Sequence, residues 1–183
     1  MNASPSAPQG SRPRALAPLF RLDRRVDEFF AARRLRSLVR GCSVVTALGA
    51  GPLWILLYAA AWAALPRSTR GLLAPFLAAE GLGLAVLVPL RYLTRRSRPD
   101  PSYRPNRLSP WNRYSFPSHH SLRAFFLAAL FGRLAPALRP ALWALAVLIA
   151  ASRVCLRRHH LSDVAAGALI GALVGGAVLL WGG

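Results

Sequence analysis

The chain has 183 residues, enough for one domain, and 54% of them are hydrophobic, yet its formal net charge is +18 and all 24 basic residues are arginine. An apolar and strongly basic chain is either a nucleic-acid binder or a membrane protein with charged loops. Long apolar runs separate the arginine clusters and no basic face repeats along a polar helix, so nucleic acid is excluded and the expected partner is a lipid bilayer.

Residues 1–19 are rich in Pro, Ser and Gly and read as a disordered tail. No apolar stretch of signal-peptide length follows their arginines. Residues 20–40 set Leu22, Val26, Phe29, Phe30, Leu35, Leu38 and Val39 against Arg24, Arg25, Arg33, Arg34 and Arg36 at helical spacing. That pattern predicts an amphipathic helix lying in the membrane interface. Residues 41–183 read as one transmembrane domain.

A bilayer core of ~30 Å needs about 20 helical residues. Residues 42–65 satisfy this, and residues 72–93 do so with one ionisable interruption, Glu80. A third helix is expected over 118–133, extendable through Pro136, and a fourth over 139–152 with Pro140 in its first turn. The fifth, 161–181, carries Gly167, Gly171 and Gly175, a stripe that permits close packing within or between chains. The expected fold is all-α: an integral membrane bundle of about five transmembrane helices plus the interfacial helix. Cys42 and Cys155 belong to different spans and give no disulfide framework.

Counting crossings puts the end of helix two, the start of helix three and the link between helices four and five on one side. Those places hold "RYLTRRSRP", "FPSHH" and "SRVCLRRHHLSD". Three polar segments far apart in sequence therefore converge at one membrane face. Arginines crowd residues 12–40, whereas the opposite side has Arg67, Arg70, Arg133 and Arg139. The positive-inside rule then places the amino terminus and the site on the cytoplasmic face.

The three segments resemble the signature motifs of the type 2 phosphatidic acid phosphatase superfamily: K-x-x-x-x-x-x-R-P, P-S-G-H and S-R-x-x-x-x-x-H-x-x-x-D. Arg91 stands at the lysine of the first, followed by Arg98 and Pro99; Pro117, Ser118 and His120 match the second, with His119 at the glycine. Ser152, Arg153, His159 and Asp163 match the third completely. The resemblance covers roughly residues 72–180. Within the family, "SFPSHHSLRAF" and "SRVCLRRHHLSDV" look like the branch that hydrolyses polyisoprenoid diphosphates, presqualene diphosphate among them.

The resemblance implies a metal-independent lipid phosphatase without a cofactor, acting on a lipid phosphate or isoprenoid diphosphate. His159 is the implied nucleophile, giving a phosphohistidine; His120 is the acid and base, and Asp163 holds the His159 tautomer. Arginine's planar fork suits phosphate oxygens, so Arg91, Arg98 and Arg153 are expected to form the phosphate cradle with Ser118 and His119. Arg123, one turn beyond His120, has two candidate partners, Glu80 and a substrate phosphate.

Other readings compete residue by residue. His160 is three residues from Asp163 and reaches it as readily on a helix, so only the family register selects His159. Two His–His pairs form a conceivable zinc site, opposed by adjacent arginines that repel a cation. Arg95, Arg96, Arg157 and Arg158 read as interfacial anchors, and Trp111 and Tyr114 as belt residues. A non-catalytic, lipid-binding relative and a vanadate-dependent haloperoxidase are the alternative functions. Oligomeric state leaves no mark in the sequence.

Overall fold

The computed structural model describes residues 17–32, 36–104 and 110–181, which are helical with no strand among them. Seven α-helices follow one another among the described residues: α1 Ala17–Ala32, α2 Arg36–Ala47, α3 Gly51–Ala64, α4 Ala74–Thr94, α5 His119–Leu134, α6 Arg139–Cys155 and α7 Leu161–Trp181. Short 3₁₀ turns at Arg67–Leu73, Pro110–Arg113 and Pro136–Leu138 join some of them. Among the described residues, four segments are long and apolar enough to cross a bilayer: Arg36–Ala64, Arg67–Thr94, Pro136–Cys155 and Leu161–Trp181.

Of the expected tail, residues 1–16 lie outside the described residues, and 17–19 open α1, with Pro18 in its first turn where no intrahelical N–H bond is lost. Of the helix expected over 20–40, residues up to Ala32 belong to α1, residues 33–35 lie outside the described residues, and Arg36 opens α2, which runs on to Ala47. α2 runs unbroken through Gly41, so residues 36–40 belong to the membrane-entering helix. The chain breaks instead at "LGAGP", where Gly49, Gly51 and Pro52 interrupt the helical ladder. Trp54 Nε1 donates 2.7 Å to the Leu48 carbonyl that the break releases.

α5 runs through the middle of the bundle. Its 16 residues include buried Leu122, Phe126 and Leu130, which pack with Phe76 and Leu87 of α4 and Val174 and Val178 of α7. Extension of α5 through Pro136 does not occur: the helix stops at Leu134 and Pro136 starts a separate turn, because proline donates no N–H and clashes with a preceding helical turn. The glycine stripe faces α5. A Cβ on Gly167 would stand 2.4 Å from the Ser118 carbonyl oxygen, and one on Gly171 would stand 2.1 Å from that of Leu122. The stripe thus packs within the chain and draws the start of α7 against the start of α5. α3 packs inward through Trp54 and Tyr58, while Ile55, Leu56 and Trp62 are exposed as expected for lipid-facing residues.

Candidate active site

Three helix ends meet at one end of the bundle. α4 terminates in a left-handed C-cap at Arg95 (φ 45°), which turns the chain sharply after the buried Arg91. Ser118 caps α5, accepting from the Ser121 backbone N–H, and its own N–H donates 3.0 Å to the Asp163 carbonyl. α6 ends at Cys155, and Arg157 (φ 53°) starts the return to α7. Motifs far apart in sequence are thereby brought together.

His159 lies at the centre and is 2% exposed. Its Nδ1 is 2.7 Å from the Ser115 carbonyl oxygen and its Nε2 is 3.1 Å from Arg98 Nη1. A carbonyl only accepts, so the proton belongs on Nδ1 and the Nε2 lone pair receives a hydrogen bond from Arg98. Burial, and then Arg98, Arg153 and Arg91, push this imidazole well below the ordinary histidine range. The ring is therefore neutral, with its unprotonated nitrogen turned toward guanidinium groups.

The arginines are held by the backbone. Arg91, 1% exposed, donates through Nε and Nη2 to the Pro117 carbonyl at 3.3 and 3.0 Å, and through Nη1 to Asn112 Oδ1. Arg98 donates to the carbonyls of Asn112 (2.6 Å), Tyr114 (3.2 Å) and Arg158 (2.6 Å). Arg153 donates 2.6 Å to Thr46 Oγ1 at the α2–α3 break, and its Nε is buried without a partner among the described residues. An unpaired buried N–H is costly unless a ligand completes it. His120 lies within electrostatic reach of both Arg153 and His159, and the Gly49 backbone closes over it, leaving a Cβ there only 3.1 Å from the His120 Cδ2.

Three expectations change. Asp163 is not the nearest acceptor for the His159 ring: its carboxylate is 3.7 Å from Nδ1, a full ångström farther than the Ser115 carbonyl. Its oxygens are committed elsewhere, to Arg96 Nη1 at 2.6 Å and the His160 backbone N–H at 3.0 Å. Arg123 is engaged by protein rather than left for a phosphate. Its Nε and Nη2 grip Glu80 at 2.6 and 2.8 Å, its Nη1 donates 3.2 Å to the Gly49 carbonyl, and Nη2 is 3.2 Å from His119 Nε2. A charge this deep needs such a partner. His119 accordingly points to Arg123, away from the place where the motif glycine would offer bare backbone. Third, Arg96 is no anchor. It bridges Asp163 to Asp23 of α1, 2.7 Å from Nη2.

Asp23, 2% exposed, also accepts from the backbone N–H (2.9 Å) and hydroxyl (2.6 Å) of Ser162, capping α7 from another helix. His160 turns its ring to Asp27, 2.6 Å away. His119 and His160 thus turn to Arg123 and Asp27 and leave His120 and His159 facing the arginines, and no cluster of three metal-ligating side chains occurs among the described residues. Trp111 packs on the central core and Tyr114 meets Tyr92 edge to face. Asp23, Thr46, Asn112 and Ser115 were not legible as site residues. The available signal was that Asp23 and Asp27, two of only six acids, stand four apart amid arginines.

A membrane helical bundle with buried arginines and paired histidines gathered at one end defines a class, the helical membrane phosphatases. The PAP2 superfamily matches residues 72–183, and the chain belongs to it. The decaprenylphosphoryl-5-phosphoribose phosphatase of Mycobacterium tuberculosis is 37% identical over 131 residues, covering 71% of this chain and 72% of that protein. The crystal structure of a transmembrane PAP2-type phosphatidylglycerolphosphate phosphatase from Bacillus subtilis superposes with a TM-score of 0.72 at 24% identity, over 93% of this chain and 87% of that one. Aquifex aeolicus LpxE superposes with a TM-score of 0.67 at 25% identity, covering 88% and 94%. The protein is thus an integral membrane phosphatase of the PAP2 superfamily, similar to enzymes named for lipid phosphates.

Proposed function

We propose that this protein is a metal-independent lipid phosphatase that works through a phosphohistidine at His159. The observation that carries this is the ring's fixed tautomer: Nδ1 bonds the Ser115 carbonyl and Nε2 faces Arg98. The Nε2 lone pair attacks phosphorus, the P–O bond to the lipid breaks, and His120 protonates the departing oxygen. His120, now neutral, takes a proton from water, whose oxygen bonds to phosphorus as the P–N bond breaks and its electron pair returns to Nε2, releasing phosphate and free His159. Arg91, Arg98, Arg153 and the Ser118 hydroxyl stabilise the charge spread over the equatorial oxygens. Arg153 supplies the N–H that the protein leaves unpaired.

The substrate class follows from the relatives. We assign a phosphate monoester carried on an isoprenoid lipid, because the M. tuberculosis enzyme is named for such a lipid. An isoprenoid diphosphate is the second candidate, but engagement of Arg123 by Glu80 removes the additional arginine that would favour it. The site is assigned to the cytoplasmic face. α1, with Arg21, Arg24 and Arg25, docks on the site end through Asp23, so the arginine-rich amino-terminal segment and the site share one side.

A phosphate-release panel on purified protein in excess EDTA tests the activity, using polyprenyl phosphates, a phosphoribosylated polyprenyl lipid, isoprenyl diphosphates and phosphatidic acid. The expected result is release from the isoprenoid monoesters, unchanged by EDTA and blocked by vanadate. Loss of activity on chelation, restored by a divalent ion, would contradict the mechanism.

A further inference from the structure

Outside the cradle, a cavity of about 480 Å³ lies between the end of α1, the first turns of α2 and the link from α6 to α7. Arg36 and Arg40 of α2 line one side, and Arg157 and Arg158 the other. Among the described residues neither Arg36 nor Arg40 has an ion-pair partner. Arg157 donates through Nη2 to the Pro99 carbonyl at 3.2 Å, but its Nε is buried and unpartnered. The single carboxylate in the wall, Asp100, already accepts from Ser102 and lies 3.6 Å from Arg158. Guanidinium groups gathered around one space repel one another until an anion enters.

Apart from Ser43 the rest of the wall is apolar, with Phe30, Leu38 and Leu156 among the residues that form it. A free inorganic anion has no use for that surface, and a neutral lipid has none for the arginines. An amphiphile's phosphoryl group uses both. Tyr103 links the cavity wall to the cradle: its ring lies under Arg98 at 4.2 Å and under the wall residue Arg158 at 5.0 Å.

We propose that this cavity is a second phosphoryl subsite, which holds the phosphodiester of a lipid substrate whose terminal monoester sits at His159. The assignment rests on the lipid phosphatase reading above. It explains how an enzyme whose cradle sees only a phosphate monoester selects one particular lipid. The relative from M. tuberculosis is named for a lipid with two phosphoryl groups of these kinds.

The test uses the whole chain in neutral detergent with Arg36→Gln and Arg40→Gln combined. One substrate carries a polyprenyl phosphodiester and a terminal monoester; the other is a plain polyprenyl monophosphate. The double variant should lose about tenfold or more in kcat/KM on the first and less than about twofold on the second, with an unchanged unfolding midpoint. Binding of the dephosphorylated diester lipid to His159→Ala protein should weaken about tenfold when the two arginines are also removed. That measurement needs no turnover, so failure to hydrolyse either substrate would sink the phosphatase reading while binding still decides the subsite. Equal losses on both substrates, or unchanged diester binding, overturn the proposal. Two further outcomes also overturn it: inorganic phosphate displacing the diester lipid as well as that lipid's own headgroup, which makes this a free-phosphate site, and a loss seen only with acidic phospholipid present, which gives the cavity to bilayer lipid.

Discussion

The Ser115 carbonyl holds the His159 ring at 2.7 Å, while the Asp163 carboxylate stands 3.7 Å away and is bound by Arg96. A backbone acceptor sets the tautomer. Asp163→Asn should therefore cost roughly 10–100-fold in kcat, far less than the roughly 10⁴-fold seen where a carboxylate alone fixes a histidine tautomer. Steady-state kinetics on a polyprenyl phosphate give the number; a loss as complete as that of His159→Ala would return the tautomer role to Asp163.

Asp23 positions the site from a different helix. Removing it leaves the Ser162 N–H without its acceptor and Arg96 with Asp163 as its remaining carboxylate, and breaking a buried pair of this kind costs roughly 3 kcal/mol. Asp23→Ala should lower the unfolding midpoint and reduce kcat with KM little changed, because Arg96 and Asp163 shift together while the phosphate arginines stay. Asp23→Glu should recover part of both. An unaltered kcat would show that α1 only anchors the chain.

Glu80 and Arg123 form a pair in the bundle interior, 2.6 Å apart, with side chains 15% and 6% exposed. Glu80→Ala strands the guanidinium and should destabilise by roughly 3–5 kcal/mol, whereas replacing both by leucine should cost much less. Arg123→Ala should reduce kcat/KM equally on monophosphate and diphosphate lipids. A loss confined to diphosphates would restore Arg123 as a substrate ligand.

His159 is held below the ordinary histidine value of 6.5 by burial and then by Arg98, Arg153 and Arg91. Below that pH the unfolded chain binds a proton that the folded protein refuses, so stability is full above about pH 6.5 and falls as pH drops further. His159→Gln should show a shallower decline of the unfolding midpoint between pH 7 and 5. An identical slope would place the titrating group elsewhere.

What was legible in the sequence follows the range of each interaction. The bounds of α7 and the start of α5 could be read because a capping serine, an apolar run and a glycine stripe are local signals. The stripe even indicated close packing, though only the clash that a Cβ on Gly171 would make with the Leu122 carbonyl oxygen shows that its partner is α5 of the same chain. The helix break at Gly49–Gly51 went unread, since the apolar run passes through it without a change in hydropathy. Motif spacing pointed to His159, His120 and Arg153 as candidates. It did not locate Ser115, whose contribution is a carbonyl that any residue carries, or Asp23, which is 139 positions from Ser162. His159 and His160 were equivalent by helical spacing, and only the fold turned one ring to Ser115 and the other to Asp27.

The most direct measurement of the central claim is a rapid alkaline quench of the protein turning over polyprenyl phosphate, followed by mass spectrometry of the peptide holding both residues. The account predicts a phosphoryl group on His159, acid-labile and stable in base, absent from His159→Ala and still formed in His160→Ala, which keeps most of its activity. A phosphoryl group on His160 or His120, or full turnover by His159→Ala, would contradict it.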